Sequence, residues 1–120
     1  MGEDEAKKII AKYYEDRGYS TEVAWGHKHG IDIVAKKEGE ERIIIEVKGC
    51  GSRPEMRVNY FLSILGEILQ RMDDAQAKYY IALPKMDQYI NLWDRLPELA
   101  KRRTEVGLIL VDTAGSVEFR

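Results

Sequence analysis

Two short apolar runs constrain this chain more than anything else in it: Gly30-Ile31-Asp32-Ile33-Val34-Ala35 and Ile43-Ile44-Ile45-Glu46-Val47-Lys48. Both have the aliphatic density of buried strands, and both carry charges that a buried strand should reject. Moving Asp32, Glu46 and Lys48 out of water is costly unless they face one another or hold a cation. Side chains alternate along a strand, so Glu46 and Lys48 leave one side of it while Ile45 and Val47 leave the other. With Asp32 alongside, two carboxylates and an ammonium would converge on a small volume, a cradle for a divalent metal and an attacking water.

The remainder of the chain frames that hairpin. Ala6, Ile9, Ile10, Tyr13 and Tyr14 recur at helical spacing and predict an amphipathic helix that Gly18 ends. Tyr19 to Trp25 reads as a short strand, and Gly26 to Gly30 as a loop bracketed by glycines. Strands over 31–36 and 42–48 follow, joined by the charged turn Lys37-Glu38-Gly39-Glu40 of an antiparallel hairpin. Gly49 to Pro54 breaks the pattern at the mouth of any site the strands form. A second amphipathic helix is expected from about Arg57 to Met72, with Phe61, Ile64, Leu65, Ile68 and Met72 on its apolar stripe. Tyr79 to Leu83 predicts a buried strand stopped by Pro84, and Asp87 to Arg103 a helix interrupted near Pro97. Two strands, Gly107 to Val111 and Val117 to Arg120, complete the order.

At 120 residues, 44% hydrophobic, the chain is expected to form one domain over residues 1–120. Its acidic start and lack of a long apolar run predict no membrane segment and a cytoplasmic protein. A single cysteine, Cys50, rules out an internal disulfide and any cysteine-based zinc cluster. The net charge of -2 argues against strong non-specific nucleic-acid binding, which usually needs a basic excess.

The order helix-strand-strand-strand-helix-strand, with Asp32 fourteen positions before Glu46-Val47-Lys48, resembles the PD-(D/E)XK nuclease superfamily over about residues 5 to 83. The closest resemblance is to small Holliday-junction-resolvase-like and uncharacterised restriction-endonuclease-like members. It implies an α/β restriction-endonuclease-like fold: a central mixed sheet with α-β-β-β-α-β core order flanked by helices, plus a C-terminal helix and strands. The implied activity is metal-dependent phosphodiester hydrolysis on DNA, including structured or damaged DNA. Mg2+, with Mn2+ as substitute, would be held by Asp32, Glu46 and the Val47 carbonyl, with Lys48 stabilising the transition-state anion. Many members add an acid from the first helix, for which Glu5 is the candidate and Glu15 the second. Some add a glutamine from the helix after the lysine strand, for which Gln70 is nearest, with Glu67 one turn before. Related enzymes act as homodimers around a duplex.

Arg53, Arg57 and His29 are placed to contact phosphate, yet each also reads as an ordinary surface residue, and Gln70 as part of a solvated helix face. His27 has the same two readings, and Trp25 and Trp93 read as packing residues. A structural ion pair at a strand end is the alternative reading of Asp32, Glu46 and Lys48. The alternative function is therefore a catalytically inactive nuclease-fold module that binds nucleic acid or a protein partner.

Overall fold

The computed structural model describes residues 1–120. In chain order it has α1 (Glu3–Glu15), β1 (Ser20–Val23), β2 (Ile33–Lys36), β3 (Ile43–Val47), α2 (Pro54–Gln70), β4 (Lys78–Pro84), α3 (Asp87–Asp94), α4 (Glu98–Thr104), β5 (Val106–Val111) and β6 (Val117–Phe119). The six strands form one sheet in sequence order. β1, β2 and β3 run antiparallel, β3, β4 and β5 parallel, and β6 antiparallel to β5. Parallel neighbours need a crossover, and α2 supplies it between β3 and β4, as α3 with α4 does between β4 and β5. This mixed sheet flanked by helices is the restriction-endonuclease-like architecture that the residue pattern implies, with two C-terminal helices where one was expected.

Every residue of β3 is buried because helices cover both faces of the sheet. On one face Ile10 and Tyr14 of α1 pack on Ile33, Ile43, Ile45 and Val47. On the other, Phe61, Ile64 and Ile68 of α2 and Tyr89 and Trp93 of α3 pack on Ile44, Ile81, Leu83 and Leu110. Strand alternation therefore sends Ile45 and Val47 toward α1 and places Glu46 and Lys48 on the side of α2. Proline at the first position of α2 suits a helix start, whose leading N–H groups have no intrahelical partner. Pro97 is the N-cap of α4 and separates it from α3.

Two expected boundaries move for identifiable reasons. Pairing of β2 with β3 ends at Ile33 and Ile45, two residues short of Ile31, because a side chain takes the place of the next rung. β4 runs through Pro84 instead of stopping before it, with Pro84 in register with Val111. Proline is tolerated there as the strand's last residue. Trp93 is buried, whereas Trp25 is about half exposed and contributes little packing.

Candidate active site at the open end of the hairpin

Where β2 and β3 separate, each acid's side chain accepts a main-chain N–H from the segment opposite. The Val47 N–H donates to Asp32 Oδ2 at 2.8 Å, and the Asp32 N–H donates to Glu46 Oε2 at 2.9 Å. A residue's N–H and C=O leave the same edge of a strand, so the Val47 carbonyl lies on the Asp32 side with its amide. Glu46 is 2% exposed. Burial pushes its carboxyl up to about 7; the bond from the Asp32 amide opposes this, while the facing Asp32 carboxylate reinforces it and Arg71 pulls it back.

Each charge also has a partner from a flanking helix. Arg71, the C-cap of α2, donates from Nε to Glu46 Oε1 at 3.0 Å and from Nη2 to the Gly30 carbonyl at 3.1 Å. Glu67, one turn earlier, lies 3.1 Å from Lys48 Nζ. Lys7 of α1 is 1% exposed. Its ammonium lies 3.0 Å from Glu3 Oε2, 3.5 Å from Asp32 Oδ1 and 3.7 Å from Asp4 Oδ1, and it bonds the Ala24 carbonyl. Burial alone would lower the Lys7 pKa, but the Glu3 hydrogen bond and the Asp32 charge hold it above its ordinary value.

The structure brings together Asp32, Glu46, Val47 and Lys48 and leaves the other expected residues outside. Glu5, expected as the helix acid, is exposed and forms no hydrogen bond or ion pair with Asp32, Glu46 or Lys48. It lies two residues from Lys7, hence about 200° around the helix at ~100° per residue, and belongs to an acidic first turn that suits the helix dipole. Glu3, one turn before Lys7, is the acid on the inward face. Gln70 is exposed and has no hydrogen bond to the site, because α2 turns Glu67 and Arg71 inward instead. Arg57 braces the loop after Lys48, donating to the Cys50 carbonyl at 2.7 Å and to Gln88 at 3.1 Å. Arg53 is exposed and pairs with Glu55 at 3.5 Å. His29 is exposed and lines a small hollow with Glu22, Ile31 and Val34 that neither Asp32 nor Glu46 lines.

Lys7, Glu3 and Arg71 are the participants that sequence reasoning missed. The only available signal was spacing: Glu3 and Lys7, like Glu67 and Arg71, stand four residues apart on a helix. A cleft of about 390 Å³ is lined by Met1, Glu3, Lys48, Gly49, Gly51 and Tyr60, among others. The larger cleft, about 900 Å³, opens at the other end of the parallel strands around Asp73, Tyr80 and Arg103 and touches none of these residues.

The acids and the Val47 carbonyl are hard oxygen donors of the kind a divalent cation takes, with waters and substrate phosphate to complete its shell. Glu46, buried beside the Asp32 carboxylate, is pushed toward neutrality, and a divalent ion at the pair would favour its ionised form. No group of three or more His, Cys, Asp or Glu side chains is arranged to hold a metal ion by itself.

Gly49 carries the chain from Lys48 under the N-terminus. A Cβ there would lie 3.0 Å from the Glu3 amide nitrogen and 3.2 Å from the Met1 carbonyl oxygen. Gly49→Ala is therefore expected to push residues 1–3 off the loop and cost about 1–3 kcal/mol. An unchanged thermal midpoint would contradict that packing.

A restriction endonuclease family model, Mrr_cat, matches residues 1–79, a span containing every residue of the site. Among solved structures, an XisH family protein from Nostoc punctiforme superposes with a TM-score of 0.64 at 19% identity, over 94% of this chain and 95% of that one. An fdxN element excision controlling factor protein from Anabaena variabilis gives 0.63 at 17% identity, over 96% of each chain. At such identities the likeness is one of fold. No curated protein sequence matches. With the family model spanning α1 to the start of β4, the chain belongs to the restriction endonuclease family, on the PD-(D/E)XK-like fold.

Proposed function

We propose that the chain is a metal-dependent nuclease hydrolysing DNA phosphodiester bonds, with Asp32, Glu46 and the Val47 carbonyl holding one Mg2+ and Lys48 acting on the scissile phosphate. The observation that carries this reading is the facing pair of acids, Glu46 buried and Asp32 part-buried, each accepting a main-chain N–H from the opposite segment at the open end of the hairpin. A bound Mg2+ supplies a Lewis acid that activates water and offsets charge growing on the phosphate.

The chain's own residues do the rest. The Val47 N–H fixes the Asp32 carboxylate, so little reorganisation remains when the ion arrives. Lys48 is part-exposed beside the cleft, where a phosphate oxygen can replace the Glu67 carboxylate as partner for its ammonium. The excision named in one structural neighbour's description favours DNA as substrate. Two chains paired as a homodimer would present two such centres to a duplex.

Incubation with Mn2+ and linear, single-stranded and branched DNA tests the proposal. The unaltered protein is expected to cut at least one of these, and Lys48→Met to be slower by roughly 10²-fold or more. No cutting of any of them removes the reading. One observation favours the second reading, a non-catalytic module: Asp32, Glu46 and Lys48 each already have an ionic partner in Lys7, Arg71 and Glu67. Calorimetric titration with Mn2+ separates the two, because a module of that kind has no need of the ion.

A further inference from the structure

The two cations that hold the acids differ in whether they can leave. Arg71 is about one-third exposed at the end of α2, and its guanidinium can swing into solvent when Glu46 takes another partner. Lys7 has no such exit. Its stem lies between α1 and the sheet at 1% exposure, and its ammonium is surrounded by Glu3, Asp4, Asp32 and the Ala24 carbonyl. Withdrawing it would take the partner from the part-buried Asp32 carboxylate and from the Ala24 carbonyl, and would need the buried stem to leave the space between α1 and the sheet.

We infer that the Lys7 ammonium is a resident cation of the acidic centre, holding the Asp32 side permanently so that the chain takes up one divalent ion, on the Glu46 side. This rests on Asp32 and Glu46 being the metal ligands. Lys7 is a positioning residue: it keeps one Asp32 oxygen directed at α1 while the Val47 amide holds the other. It also sets affinity, because a fixed positive charge beside Asp32 repels an incoming divalent ion. Glu3 and Asp4 hold the ammonium from the α1 side, at 3.0 and 3.7 Å, and neither is bonded to Glu46.

The test is calorimetric titration of the full chain with Mn2+, comparing the unaltered protein with Lys7→Met, which keeps the stem's volume and removes the charge. One ion per chain is expected in the unaltered protein. Lys7→Met should bind Mn2+ roughly tenfold or more tightly, or admit a second ion. A lysine serving stability alone would lower the thermal midpoint and leave Mn2+ affinity and stoichiometry unchanged, which overturns the inference. So do two ions in the unaltered protein. No binding to either protein overturns the metal reading itself and this inference with it.

Should Lys7→Met not fold, the 15N resonance of the Lys7 ammonium in the unaltered protein decides the matter during a Mg2+ titration. A protected signal that moves in one saturating step supports residence beside the ion. A signal lost to solvent exchange as Mg2+ binds, or one that Mg2+ never moves, overturns it.

Discussion

Replacing Asp32 with asparagine is expected to lower Mn2+-dependent DNA cleavage by about 10³-fold while leaving the fold in place. Asparagine is the informative choice because its side-chain carbonyl can still accept the Val47 N–H bond; the charge that would hold the ion is lost, and the NH2 group replaces the oxygen that faces Lys7. Alanine would remove that acceptor and Lys7's partner together, confusing a catalytic loss with a structural one. The check pairs a cleavage time course with a thermal melt. A variant that melts normally and cuts within tenfold of the unaltered rate would show that Asp32 is not a metal ligand.

The second large effect is a pH dependence of stability. Glu46 in the folded chain keeps its proton to about pH 7, against a usual value of 4.5, chiefly because it is buried. Between those two values the folded state binds more protons than the unfolded one, so this group's contribution is complete below about 4.5 and disappears as pH rises through 7. The size is of order 3 kcal/mol. Denaturant midpoints for the unaltered protein and Glu46→Gln, followed from pH 4 to 8, should therefore diverge, the unaltered protein losing stability relative to the variant as pH rises. Parallel curves would mean that Arg71 neutralises Glu46 at every pH. In the presence of saturating Mg2+ the difference should shrink, because a bound cation favours the ionised acid.

The hairpin and the convergence of Glu46 and Lys48 on one side of β3 were legible because they follow from local pattern, apolar alternation and a turn of charged and glycine residues. The sheet around them was legible for the same reason, and Pro97 marked the break between α3 and α4. What could not be read was which residues reach the acids from the helices. Glu5 and Glu3 are equally acidic in the sequence, and only docking of Ala6, Lys7 and Ile10 onto the sheet decides which one turns inward. A lysine on an amphipathic helix reads as solvent-facing, so the burial of Lys7 follows only from knowing that three carboxylates await it. Arg71 belongs to the same category: it meets Glu46 across 25 residues of chain, through the crossover that stacks α2 over β3.

The crossed bonds from the Val47 amide to Asp32 and from the Asp32 amide to Glu46 make the hairpin end behave as one machined part. Neither acid can be moved, lengthened or shortened without altering the seat of the other, so Asp32→Glu and Glu46→Asp should fail even though they conserve charge. Any attempt to refit this scaffold for a different ion or reaction has to recut both halves of that joint together.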